Sequence, residues 1–196
     1  MLPSELTDAA DKRKTEYLVG RICAREAVKR ITGHASAPSL GADRAPCWPE
    51  GITGSVTHSH GRAAAIGASN QHYLSLGLDA EVVLSDSRAT KLVQKILTSS
   101  ERQRFQLDLA QRPGHLTTLA FSVKESLFKA LYPLTRKRFY FEDAELLEWN
   151  EPGLATVRLL TDLSGDWRAG QQLTACVSLE GGRLLSLVPV TATGTR

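Results

Sequence analysis

The sequence predicts an α+β fold built from two similar lobes, each with a main helix packed on a small antiparallel sheet. Helical periodicity marks one principal stretch in each half. Short β-rich runs follow each stretch, and turn-forming residues separate those runs. The 196 residues suit one domain of ordinary size or two small ones, and the halves share no literal repeat.

Residues 8 to 32 read as a long helix. Lys14, Arg21 and Arg25 fall within about 40° of one another at 100° per residue, which makes a basic stripe beside an apolar one. Residues 33 to 51 are rich in Gly, Ala, Pro and Ser and read as loop. Strands are expected at Ile52 to Thr57, Arg62 to Ala68 and Tyr73 to Ala80, joined as a meander. Helices are expected at Ser87 to Leu97 and Ser99 to Leu109. A third begins near Ser122, where Ser122 and Glu125 fit a capping box. The remaining strands fall at Phe139 to Asp143, Leu154 to Leu160, Leu173 to Glu180 and Arg183 to Val190.

Composition excludes several classes. No run of about 18 apolar residues is present, so no membrane span is expected. The start M-L-P-S-E-L-T-D lacks the basic and apolar parts of a secretory leader. Cys23, Cys47 and Cys176 form no C-x-x-C pair, which suits a reducing compartment. A net charge of +3 is small for a nucleic-acid binder.

Three islands carry chemistry. In W-P-E-G-I-T-G-S-V-T-H-S-H-G-R, residues 48–62, a strand ends in His58, Ser59 and His60 before Gly61. Imidazole and hydroxyl donors beside exposed amides suit a phosphate. Two histidines two apart on a strand share a side, so a metal pair is the other reading. In L-G-L-D-A-E, residues 76–81, Asp79 and Glu81 are at i and i+2 of a strand and point the same way. Two oxygen donors with no cysteine suit Mg²⁺ with a substrate phosphate. In F-S-V-K-E-S-L-F-K-A, residues 121–130, Glu125 and Lys129 share a helix face. Glu125 would complete a carboxylate trio with Asp79 and Glu81, and Lys129 and Lys124 would face the anion that the cation holds.

In this order, G-S-V-T-H-S, G-L-D-A-E and F-S-V-K-E-S-L-F-K-A resemble the 4′-phosphopantetheinyl transferases. G-R-I-C-A-R-E-A at 20–27 and R-A-P-C-W-P-E-G at 44–51 narrow the resemblance to the surfactin-type group, nearest the enterobactin synthetase component D type. It implies a pseudo-dimeric monomer with its site between the lobes, divided here as 1–75 and 76–196. It also implies transfer of the phosphopantetheine arm of coenzyme A to a serine of an apo carrier protein (peptidyl, aryl or acyl), with release of adenosine 3′,5′-bisphosphate. The implied setting is cytoplasmic siderophore or other natural-product biosynthesis.

Carried over residue by residue, Asp79, Glu81 and Glu125 are the expected ligands of Mg²⁺, with Mn²⁺ a substitute. Thr57 and His58 are the expected contacts of the coenzyme A phosphate. Lys129 is expected to hold the pyrophosphate, with Lys124 beside it. Arg21, Arg25 and Arg44 are the expected clamp of the nucleotide. Glu125, itself or through a water, is expected to take the serine proton. The chain begins near the basic helix, where relatives carry more residues, so the first lobe is expected to lack an edge element or the start to be set late. Leu78, Phe121 and Ser126 replace the commoner Ile, Trp and Ala. Residues 95–105, with Ile96, Leu97 and Phe105 near Arg102 and Arg104, are the expected carrier-docking surface. Two other readings stay open: a metal-dependent hydrolase using His58, His60, Asp79 and Glu81, and a nucleic-acid module using the basic helix.

Overall fold

In the computed structural model, which describes residues 10–41, 43, 45–150 and 153–192, the basic stretch forms helix α1, Asp11–Thr32. Gly33 ends it with φ at 79°, a left-handed conformation that costs glycine nothing, and its N–H bonds the Lys29 carbonyl. A small ladder follows, β1 (Ser39–Leu40) with β2 (Pro46–Cys47). Next comes the hairpin of β3 (Ile52–Ser59) and β4 (Arg62–Ser69), paired without a register break. A two-stranded hairpin is marginal alone. This one is covered by α1, whose Ala24 and Val28 are buried. The approach is close: a Cβ on Gly67 would lie 2.9 Å from the Ile31 Cδ1 atom.

The sequence predicts that the third strand completes a meander. Instead β5, Tyr73–Val82, enters a second sheet with β6 (Ala144–Asn150), β7 (Leu154–Leu159), β8 (Gln172–Glu180) and β9 (Arg183–Thr191). Its order is β5-β9-β8-β7-β6. The lobes are therefore unequal, with a two-stranded hairpin under α1 and a five-stranded sheet under the second main helix. β3 still lies against β5, but side chains replace the ladder. The Leu78 N–H donates to Ser55 Oγ at 2.9 Å, and the Ala80 N–H donates to Thr57 Oγ1 at 3.1 Å.

Between the strands run α2 (Asp86–Ile96), α3 (Ser99–Arg104), α4 (Gln106–Gln111) and α5 (Pro113–Thr135). The helix expected over 99–109 breaks at Phe105, where φ is −104° and ψ is 28°. α5 begins nine residues before the predicted Ser122 (113 against 122), with Pro113 in the first turn, where its missing N–H costs nothing. Ser122 is thus fully buried in mid-helix and caps nothing. The strand expected at Phe139 to Asp143 is a 3₁₀ turn over Phe141–Asp143. There Asp143 Oδ2 accepts from the Tyr140 N–H at 2.8 Å, a local bond that competes with a ladder.

α5 lies directly on β5 and β9. A Cβ on Gly77 would fall 1.8 Å from the Ser126 carbonyl oxygen, so only glycine admits the helix there. Beside it, the Ser186 hydroxyl lies 2.7 Å from those of Ser122 and Ser126. On the same helix Leu116, Leu119, Leu127 and Leu131 are fully buried against Leu146, Val157, Leu184 and Val188. Each such leucine contributes on the order of 2 kcal/mol by burial. This packing fixes the helix that carries Glu125 and Lys129.

Candidate active site

β5 and α5 meet where the chemistry is concentrated. Asp79 is paired with Ser186, which touches α5, so the odd-numbered side of β5 faces that helix. Asp79 is 4% exposed. Lys129 Nζ donates to Asp79 Oδ1 at 2.7 Å and to the Leu78 carbonyl at 3.0 Å. Thr57, from β3, donates to the same Asp79 oxygen at 3.3 Å. Asp79 Oδ2 is buried and accepts no hydrogen bond among the described residues. Ser59, two residues along β3, donates to Glu81 Oε2 at 2.9 Å.

The electrostatics follow from this crowding. Burial pushes the Glu125 carboxyl above the usual glutamate range, Asp79 and Glu81 push it further, and Lys129 opposes them. Burial also raises Glu81; Ser59 opposes this, while the Asp79 charge adds to the rise. Three carboxylates and one ammonium thus share the junction, an excess of negative charge that a divalent cation relieves. Among the described residues, no three His, Cys, Asp or Glu side chains stand close enough to hold a metal as they are. The donor chemistry nevertheless fits one. All three acids offer hard oxygen, and Asp79 Oδ2 is a buried acceptor with no partner among the described residues.

Of the sequence-predicted residues, the structure brings together Thr57, Asp79, Glu81, Glu125 and Lys129. His58 turns toward α1, with Nδ1 3.7 Å from Glu16 Oε2. His60 lies in the hairpin turn at φ 49°, so the two histidines do not share a strand face. Arg21 donates to the Pro38 carbonyl and stacks over Tyr17, 5.6 Å from the ring centre. Arg25 is exposed on α1. Arg44 lies outside the described residues.

Lys124 departs from its expected place. It is 2% exposed and points beneath the site. Its ammonium donates to Glu101 Oε2 at 2.7 Å and to the Ile96 and Phe141 carbonyls at 2.9 Å each. All three protons are used, so none is left for a ligand. Desolvation lowers its pKa, and the Glu101 charge opposes that. The docking surface expected at 95–105 also fails on its apolar part. Ile96, Leu97 and Phe105 are buried in the core of the second sheet, which needs apolar cover on this side.

Sequence reasoning passed over Glu101, and it took Ser59 only as a hydroxyl donor to a phosphate. Glu101 is fully buried and holds Lys124 and the Leu146 N–H, the latter at 2.7 Å. Its signal is present as T-S-S-E, a capping box that the structure realises at Thr98 and Glu101. Ser59 gives a weaker signal, its spacing of two from Thr57 on the same strand.

Besides a cavity of about 560 Å³ that reaches Glu81 and Ser59, two cavities with apolar walls border the junction. One of about 410 Å³ opens beside Lys129 and is lined by Trp48, Ser55, Phe128, Tyr132 and Arg138. The other, about 210 Å³, reaches Glu125 between Phe128, Phe139 and Tyr140. Together they offer apolar walls around a charged floor.

The profile of the 4′-phosphopantetheinyl transferase N-terminal domain matches residues 2–68, and that of the 4′-phosphopantetheinyl transferase superfamily matches residues 75–187. Among curated proteins, 4′-phosphopantetheinyl transferase Svp of Streptomyces mobaraensis is 37% identical over 178 residues, which cover 84% of this chain and 71% of that protein. Enterobactin synthase component D of Salmonella typhimurium is 42% identical over 125 residues, covering 64% of this chain and 51% of its own length. 4′-phosphopantetheinyl transferase PptT of Mycobacterium tuberculosis is 33% identical over 149 residues, covering 74% and 64%. The chain therefore spans about half the length of the Salmonella relative. No helix among the described residues is long and apolar enough to cross a membrane.

Proposed function

This chain belongs to the 4′-phosphopantetheinyl transferase superfamily, and on that footing we propose that it moves the phosphopantetheine arm of coenzyme A onto a serine hydroxyl of an apo carrier protein. The supporting observation is the junction itself. Asp79 and Glu81 on β5 face Glu125 and Lys129 on α5, with one Asp79 oxygen buried and without a partner among the described residues.

Asp79, Glu81 and Glu125 would hold Mg²⁺, or Mn²⁺ in its place. When bound, the cation supplies charge neutralisation for the pyrophosphate of coenzyme A. The chain's own residues do the rest. Lys129, already aimed across the junction, faces the charge that grows on the leaving phosphate. Glu125, itself or through a water, is the base that meets the serine hydroxyl. It takes the proton as the serine oxygen bonds to the β-phosphorus. The bond from that phosphorus to the bridging oxygen breaks, and adenosine 3′,5′-bisphosphate leaves with the electron pair. Most of the acceleration comes from alignment and charge, as in phosphoryl transfer generally.

The apolar cavities beside Lys129 and Glu125 suit the pantetheine arm. His58, Arg21, Arg25 and Arg44 remain the proposed nucleotide contacts, carried over from the resemblance. Lys124 is withdrawn from that set because its donors are spent inside the protein. The lobes are proposed to divide as 1–75 and 76–196 in a cytoplasmic monomer. The likeness to enterobactin synthase component D supports siderophore or related natural-product assembly as the setting. A chromatographic assay tests the reaction class. Adenosine 3′,5′-bisphosphate should appear mole for mole with coenzyme A consumed, and only with an apo carrier and Mg²⁺ present. Coenzyme A consumption without a carrier would instead mark hydrolysis.

A further inference from the structure

The two strand carboxylates are each met by a hydroxyl from the other lobe. Along one face of β3, Ser55, Thr57 and Ser59 are all buried at 8% exposure or less. Ser55 accepts from the Leu78 N–H of β5. Thr57 accepts from the Ala80 N–H and donates to Asp79. Ser59 breaks this pattern, for among the described residues its hydroxyl meets Glu81 and His60 and no β5 backbone group. The first rung therefore only docks the strands, the second docks and aims, and the third only aims.

The protons at Ser59 can be assigned. Its Oγ lies 2.9 Å from both Glu81 Oε2 and His60 Nδ1. A hydroxyl has one proton, and a carboxylate only accepts. Ser59 therefore donates to ionised Glu81, and His60 must donate from Nδ1–H to Ser59. The chain of donors runs His60 to Ser59 to Glu81, all pointed at a carboxylate that no lysine or backbone amide bonds among the described residues. Without it, Glu81 is a flexible side chain on a strand beside another acid.

We infer that Ser59 is a positioning residue: from the opposite lobe it holds Glu81 at the junction, where the carboxylate can serve a divalent cation. The inference rests on the transferase reading for its metal and on the structure for its geometry. Hydroxyls behind metal carboxylates commonly act this way, and their loss costs about 10–100-fold in metal affinity.

The test is Mn²⁺ uptake by the full chain with coenzyme A present, read by calorimetry, on Ser59→Ala, Ser59→Thr and Ser55→Ala. Coenzyme A binding in EDTA is measured in parallel. The inference expects Ser59→Ala to lose at least about tenfold in Mn²⁺ affinity while its coenzyme A affinity in EDTA stays at the wild-type value. Ser59→Thr, which keeps the hydroxyl, restores most of the loss. Ser55→Ala loses thermal stability, because it strands the Leu78 N–H, but keeps its Mn²⁺ affinity. Equal Mn²⁺ affinity in Ser59→Ala and wild type overturns the inference. So does an equal loss in Ser55→Ala, since the effect would then be loosened docking of the strands. Failure of coenzyme A to bind the wild type sinks the transferase reading instead, and that arm is independent of Ser59.

Discussion

Lys129 Nζ lies 2.7 Å from Asp79 Oδ1, while the other oxygen of the same carboxylate is buried with no partner among the described residues. One half of Asp79 is neutralised from α5 and the other half is held ready. This asymmetry separates the roles of the two residues.

Lys129→Met should lower kcat by about 10²–10³-fold, the usual cost of one lost donor to developing charge. Lys129→Arg should recover little, because a planar guanidinium does not fit a compact contact shared with the Leu78 carbonyl. Steady-state rates with coenzyme A and a carrier check both variants.

Glu125→Gln should abolish transfer yet stabilise the cation-free protein. The folded pKa of Glu125 is raised above its unfolded value, chiefly by burial. A raised carboxyl favours the folded state when protonated, so the folded protein loses stability as pH rises from about 4.5 through the raised pKa. The amide carries no such penalty. At pH 7 the variant should melt roughly 2–4 °C higher for each kcal/mol relieved. The gap should close on acidification toward the ordinary glutamate range. Mg²⁺ should raise the wild-type midpoint more than that of the variant. Thermal melts at several pH values, with and without Mg²⁺, measure all of this.

Lys124→Met should destabilise the fold by about 3–5 kcal/mol, since it strands Glu101 as a buried charge. Adding Glu101→Gln should return part of that loss, because the remaining partner is then neutral. Coenzyme A affinity of the folded double variant should match wild type. Urea unfolding and calorimetry read the two quantities. A large loss of coenzyme A affinity would restore Lys124 to the ligand set.

Gly77→Ala should fail in both stability and activity. Its Cβ would meet the Ser126 carbonyl at 1.8 Å and the Ala130 nitrogen at 2.6 Å, both backbone atoms of α5. The helix must move away from β5, and Glu125 and Lys129 move with it. Circular dichroism melts and transfer rates should fall together.

The legible parts of the fold are those with strong local signals. α1 follows its periodicity, and β7, β8 and β9 fall within a residue or two of their predicted ends. The pairs Asp79 with Glu81 and Glu125 with Lys129 also read correctly in direction, because i and i+2 on a strand and i and i+4 on a helix are fixed by backbone geometry, whereas His58 and His60 do not, since the strand ends at Ser59. What failed depends on distant residues. Ser122 resembles a cap only if the nine residues before it are ignored, and Pro113 was the truer start signal. β5 leaves the meander because β9, about a hundred residues later, offers a full ladder. Lys124 looks like a ligand in K-E-S, but Glu101 claims it from another helix. Ile96, Leu97 and Phe105 look exposed among charges, yet the five-stranded sheet needs them as core.

The most direct measurement is the intact mass of an apo carrier protein after incubation with this protein, coenzyme A and Mg²⁺, beside EDTA and Glu125→Gln controls. The account predicts a gain of one phosphopantetheine arm that is absent from both controls. A gain that persists with Glu125→Gln would remove Glu125 from the chemistry. No gain with any apo carrier, in a protein that also fails to bind coenzyme A, would contradict the transferase assignment itself.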